Sequence, residues 1–173
     1  MPTLQWSDAL AMDLPFMDNT HHEFVDLLGA VEEAPQEQLL ERWRALVAHT
    51  QEHFDLEDRW MHDTKFASGN CHSVQHKVVL QVLYEGIRLG EEGDLTPIRQ
   101  MAHELAAWFP QHAQSMDAAL AIHLRRVGYD TATGVVHAPD ALPSDLIHGC
   151  AGAACSDPTT ETTQSTQTAE AAA

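Results

Sequence analysis

Residues 53–76, HFDLEDRWMHDTKFASGNCHSVQH, constrain the fold more than any other stretch. They open with His53 and Glu57, four apart, and close with His72 and His76, again four apart. Side chains four apart share one helical face, about 6 Å apart along the axis at 1.5 Å rise per residue. Two such pairs, on two helices joined by a Gly-containing turn around residues 68–70, can aim at one point between them. Imidazole nitrogen and carboxylate oxygen converging on a point are the makings of a metal site. A chain built on this stretch needs a helical hairpin, and further helices to complete the set.

The rest of the chain supplies those helices. Phe24, Val25, Leu27, Leu28 and Val31 recur at a 3.6-residue period, predicting a first helix from a cap at Asp18 or Thr20 to about residue 33. Pro35 suits the start of a second helix, running to about residue 64. A third spans about 69–89 and ends in the GEEGD turn. Thr96-Pro97 opens a fourth, which reaches Val127 with Gly128 as its terminating residue. Four long helices with short connections predict an all-α, antiparallel up-down-up-down four-helix bundle. Residues 1–17 read as an extended N-terminal arm, with Trp6, Leu10, Leu14, Phe16 and Met17 free to pack on the bundle of residues 18–128. Residues 129–173 form a C-terminal extension. From about 156 the sequence SDPTTETTQSTQTAEAAA holds no aliphatic beyond alanine, so the tail is expected to be disordered.

Charge excludes several partners. Nine Lys and Arg stand against 26 Asp and Glu, a formal net charge of −17, which disfavours a nucleic-acid backbone or an anionic membrane surface. No apolar run approaches the ~20 residues that span a bilayer, and the N-terminus lacks the basic segment of a signal peptide, so the expected location is cytoplasmic. Cys71, Cys150 and Cys155 do not make a disulfide framework, and the last two read as incidental thiols in the tail. Twelve histidines in 173 residues are the compositional outlier.

Helices one and four offer the remaining ligands. His21 and His22 are adjacent, about 100° apart on a helix, so only one faces inward; His21 aligns with Val25 and Leu28 and is the candidate. Helix four offers His112 and Asp117, separated by five, which is not a one-face spacing in a straight α-helix. A local π-turn makes it one, and Pro110, which lacks a backbone donor, favours such loosening. The candidate metal ligands are therefore His21, His53, Glu57, His72, His76, His112 and Asp117. Five imidazoles are too many for one ion beside two carboxylates. Split three and two across two ions bridged by Glu57, Asp117 and a solvent oxygen, they leave one ion with an open position. His22, His49, His62, His103, His123, His137 and His148 are read as surface or capping residues, although His49-x-x-x-His53-x-x-x-Glu57 is a continuous ladder that leaves room for a register error.

The pattern resembles the haemerythrins, specifically the single-domain bacterial ones. The matching pieces are Asp18-x-x-His21, His53-x-x-x-Glu57, His72-x-x-x-His76 and Trp108-x-x-x-His112-x-x-x-x-Asp117, with Trp6-Ser7-Asp8 similar to that family's N-terminal arm. The resemblance covers roughly residues 4–127. It implies two iron ions with an oxo or hydroxo bridge that bind O2 reversibly. By it, His72, His76 and His112 hold the coordinatively full iron, His21 and His53 the open one, and Glu57 and Asp117 bridge them. It also places Trp108, Phe109 and Ala113 at the O2 pocket, where Phe109 and Ala113 depart from the bulky aliphatics often seen there and Pro110 is unusual.

The function expected is oxygen storage, delivery or sensing by a binding protein rather than an enzyme, with an O2-consuming enzyme as a possible recipient. The competing readings are a di-iron enzyme handling peroxide or NO, and an iron-storage or iron-donating protein. Oxygen-activating bundle enzymes carry Glu-x-x-His pairs, and this site has none. The donor set by itself would also accept Mn, Co or Zn.

Overall fold

The computed structural model describes residues 2–66 and 71–145. The tail from 156, the turn at 68–70, and Cys150 and Cys155 lie outside these. Cys71 is disulfide-bonded.

The architecture is the expected four-helix bundle. Helix α1 spans Pro15–Glu32, α2 Leu39–Asp63, α3 Cys71–Glu91 and α4 Thr96–His112; a π-helical turn, Ala113–Asp117, then leads without a break into α5, Ala118–Val127. The last three segments make one rod, so the bundle has four. Each rod packs on its neighbours in turn, α1 on α2, α2 on α3, α3 on α4, and α4 back on α1. No strand is present among the described residues, only an isolated bridge between Tyr129 and Val136. None of the described helices is long and apolar enough to cross a membrane.

The helix starts differ from the sequence reading. Helix α1 begins at Pro15, three residues before Asp18, because a proline at the first helical position has the helical φ built in and no N–H to satisfy. Neither expected cap acts as one: Met12 N–H donates to Asp18 Oδ1 (2.6 Å), tying the arm to the helix, and the Thr20 hydroxyl donates back to Phe16 O. Pro35 opens a short 3-10 turn, Gln36–Gln38, before α2. At α4 it is Asp94 whose carboxylate accepts the Thr96 N–H. The arm is not simply extended; it includes a 3-10 turn, Asp8–Leu10, and buries Leu10 and Met12. Arg125 of α5 also donates to Met12 O.

Gly128 ends α5 in the left-handed region (φ 60°, ψ 43°). Tyr129 N–H bonds Leu124 O and Gly128 N–H bonds Arg125 O, the two closures of a Schellman motif. The following chain folds back onto the bundle: the Tyr129 hydroxyl donates to Asp63 Oδ2 (2.8 Å), and Ala138 N–H bonds Val127 O.

The apolar core lies on both sides of the histidine level. Leu28, Val31, Leu39, Trp43, Leu46, Leu83 and Ile98 are buried on one side of it, Met61, Leu120, Leu124 and Val127 on the other. Trp43 threads between helices, its indole N–H donating to Leu83 O (3.1 Å). Gly86 on α3 makes room for it, since a Cβ there would lie 2.6 Å from Trp43 Nε1 and 2.9 Å from Met101 Sδ. The thioether can move aside; the hydrogen-bonded indole cannot without losing its bond. Gly86→Ala is therefore expected to destabilise despite alanine's better helix propensity of about 1 kcal/mol, with overpacking of roughly 1–3 kcal/mol winning. Thermal unfolding should show a Tm lower by a few degrees; an unchanged or higher Tm would contradict the tight α2–α3 contact.

Candidate metal centre

The candidate ligands sit at one level of the bundle, near the starts of α1 and α3, in the second half of α2 and midway along the last rod. His21 lies in the second turn of α1, His53 and Glu57 in the second half of α2, His72 and His76 in the opening turns of α3. His112 ends α4 and Asp117 ends the π-turn. That turn is what brings the last two together. Ala118 N–H reaches back five residues to Ala113 O, so one extra residue is accommodated and His112 and Asp117 share a face. The expected loosening near Pro110 is thus observed, three residues downstream of the proline itself.

The structure gathers the seven residues into two overlapping groups. Glu57, His72, His76, His112 and Asp117 offer donor atoms within 4.8 Å of one another, and so do His21, His53, Glu57 and Asp117. Both carboxylates belong to both groups. All seven side chains are buried. The Nε2 atoms face inward: His72 Nε2 lies 3.0 Å from Asp117 Oδ1 and 3.3 Å from Glu57 Oε2, His21 Nε2 is 3.3 Å from Asp117 Oδ2, and His53 Nε2 is 3.2 Å from Glu57 Oε1. His76 Nε2 and His112 Nε2 are 3.3 Å apart.

Despite these separations, few of the inward atoms are hydrogen-bonded. Both oxygens of Glu57 and Asp117, both nitrogens of His72, and the Nε2 atoms of His21 and His53 are buried with no hydrogen-bond partner. Their distances suit ion pairing, but their lone pairs point at common centres rather than at each other. An unsatisfied buried polar atom costs about 1–3 kcal/mol, so lone pairs left without a partner here are costly. Charge attraction between the close pairs offsets part of that. A cation at each centre satisfies these atoms, and the donor set of imidazole and carboxylate suits a first-row transition metal.

The electrostatics of the metal-free cluster are strongly coupled. Burial, and for Glu57 the neighbouring Asp117 charge, would push the two carboxyls up, but His53 and His72 hold Glu57, and His112, His21 and His72 hold Asp117, well below the usual range. Burial would push His72 down, yet its hydrogen-bonding position beside Asp117 and Glu57 and their charges raise it to about 10. His21 and His76 are raised as well, burial being outweighed by Asp117 for the former and by Asp58 and Glu57 for the latter. For His112 burial wins, and its pKa is lowered.

Around the ligands the packing is aromatic. Phe54 stacks on His76 (3.9 Å between centroids, 6° between planes), and Trp108 stacks on His112 at 4.3 Å. Phe109 meets His21 edge-on at 5.2 Å and stacks on Phe24. Ala113 is fully buried in the π-turn. The three residues marked for the O2 pocket therefore divide, Trp108 beside the three-histidine group and Phe109 beside the two-histidine group. A tight pocket with no room for water reaches His53 and Glu57, lined by Phe16, Met17, Thr20, Leu56 and Trp60. Two outer partners, Asp58 and Gln75, carry no signal in the sequence. Asp58 Oδ1 lies 3.0 Å from His76 Nδ1 and Gln75 Oε1 3.3 Å from His112 Nδ1, contacts made across helices that no within-helix spacing signals. His49 stands outside the cluster, its Nε2 on Thr20 O (3.1 Å). His123, also buried, bonds Thr64 O.

Fold and site together define a class: helical-bundle proteins that carry a buried histidine–carboxylate metal centre. The comparisons make that specific. Residues 12–121 match the Hemerythrin HHE cation binding domain. The chain is 35% identical over 130 residues to a Bacteriohemerythrin of Ralstonia nicotianae, an alignment covering 75% of this chain and 95% of that protein. No solved structure matches. The chain belongs to the haemerythrin family.

The coupled charges predict how the metal-free protein responds to pH. The raised His72 contributes stability that is complete below its unfolded value of 6.5 and is lost as pH rises toward about 10. The depressed Glu57 and Asp117 contribute stability that is complete above their unfolded values of 4.5 and 3.8 and is lost as pH falls below them. After chelation, the Tm should be highest between roughly pH 4.5 and 6.5, fall on both sides, and fall less steeply on the alkaline side in His72→Ala. A flat alkaline limb would contradict the pairing.

Proposed function

We propose that the chain binds O2 reversibly at a non-haem di-iron centre, as a binding protein rather than an enzyme, serving oxygen storage, delivery or sensing. The observation that carries this is the unequal division of donors: five residues converge on one centre, four on the other, with Glu57 and Asp117 common to both. In this reading His72, His76 and His112 would hold one iron and His21 and His53 the other, with Glu57 and Asp117 shared by both; the cofactor would be an iron pair with an oxo or hydroxo bridge. When bound, it would supply the electrons for reversible O2 binding, and the side with fewer protein donors would be the one to take the ligand.

The chain's own residues do the rest. Two carboxylates and five neutral imidazoles give the site a charge of about −2, which offsets much of the charge of two divalent ions in a medium where uncompensated charge is costly. Phe109 and Phe24 on one side of His21, and Phe16, Met17 and Trp60 near His53, exclude water from the four-donor side. A dry, apolar wall admits a neutral diatomic and slows the escape of charged products. The absence of a Glu-x-x-His pair among the ligands supports binding over oxygen activation. We assign the binding unit to residues 18–128, with 1–17 as an arm and 129–173 as an extension, and place the protein in the cytoplasm.

An optical cycle tests the reading. The protein is reduced without air, exposed to air, then deoxygenated, with metal content measured alongside. A colourless reduced form that gains charge-transfer bands in air and loses them on deoxygenation is expected. Direct passage to an oxidised form with no reversible state, or sustained turnover with peroxide, would contradict it. His53→Ala, which removes one of two imidazoles on the four-donor side, should abolish the reversible bands and lower the iron content per chain, as read by elemental analysis.

A further inference from the structure

We propose that Asp58 is a positioning residue for the three-histidine centre, fixing the orientation and donor nitrogen of His76 and strengthening it as a ligand; this rests on the metal-centre reading above. His76 Nε2 faces the cluster, 3.4 Å from Glu57 Oε2 and 3.3 Å from His112 Nε2. A nitrogen that gives its lone pair to a metal carries no proton, so the ring proton of a ligating His76 resides on Nδ1. Asp58 Oδ1 is 3.0 Å from that atom, and an ionised carboxylate is an acceptor only. The two groups therefore allow one arrangement, Nδ1–H donating outward and Nε2 aimed inward. Phe54, parallel to the ring at 3.9 Å, resists its turning over.

Gln75 gives His112 a weaker version of the same support, its neutral Oε1 lying 3.3 Å from Nδ1. The third histidine of the group, His72, has no partner on Nδ1, and the outer contact of His21 in the other group is with the Leu10 backbone, not a carboxylate. A carboxylate thus acts on one histidine of one centre. Placed there, its charge raises the basicity of the imidazole and favours the more highly charged state of the metal it serves. Asp58 is about a third exposed, at the wall of a cleft between α2 and α3 that also holds Asp55 and Lys77, so it can be changed without disturbing the core.

Asp55 supplies the control. It lies in the same cleft with the same charge, but its carboxylate accepts from Gln51 rather than from a ligand histidine. Full-length protein loaded with Fe(II), and separately with Zn(II), is challenged with excess chelator. Asp58→Ala and Asp58→Asn are expected to release metal about 10–100-fold faster than the unaltered chain, and Asp55→Asn to stay within about twofold of it. Asp58→Glu, which keeps the carboxylate, should recover part of the loss. In the iron form, Asp58→Asn should also raise the midpoint potential, a change that loosened packing alone does not bring. Metal release and potential that are unaltered in both Asp58 variants would overturn the inference, as would an equal effect from Asp55→Asn. If Asp58→Ala fails to fold, the near-isosteric Asp58→Asn decides. A parent chain that retains neither metal would overturn the metal-centre reading itself, a distinct outcome.

Discussion

Seven buried donors that face common centres instead of one another govern this structure. Four amphipathic helices could close over an apolar core from end to end, as they do around Trp43, Leu83 and Ile98. At the other level the bundle carries five imidazoles and two carboxylates, all buried, with both oxygens of each carboxylate lacking a hydrogen bond. Buried lone pairs in that number are costly to leave without partners, so the arrangement makes physical sense as a receptor for cations. The apolar layers on either side supply the stability that lets the polar layer stay preorganised.

The backbone is adapted to that requirement where the α-helix alone fails. Three of the four rods present their ligands at spacings of four or as single residues, which regular helices accommodate. The last rod must present His112 and Asp117, five apart, and it does so by widening to a π-turn. Ala113, within the turn, is completely buried, and the Ser115 hydroxyl bonds back to Gln111 O, so the widened turn is packed and partly satisfied rather than frayed. A local departure from regular geometry therefore sits where the chemistry requires it, and Asp117 joins both donor groups as a result.

Much of this was legible in the sequence because it depends on periodicity. The helices, the inward choice of His21 over His22, the His53/Glu57 and His72/His76 pairs and the π-turn all follow from positions along one chain segment. What was not legible depends on relations between segments. Asp18 looked like a helix cap but ties the arm through Met12, since Pro15 had already started the helix. Asp58 and Gln75 reach histidines on other helices or at long separation, so no spacing reveals them. Gly86 reads as a weak helix residue until Trp43 is seen lying against it.

The most direct test of the central claim is anomalous X-ray scattering from crystals of the iron-loaded protein. The account predicts two iron positions per chain, one within bonding distance of His72, His76 and His112, the other of His21 and His53, with Glu57 and Asp117 touching both. A single position, or metal bound away from these seven residues, would contradict it.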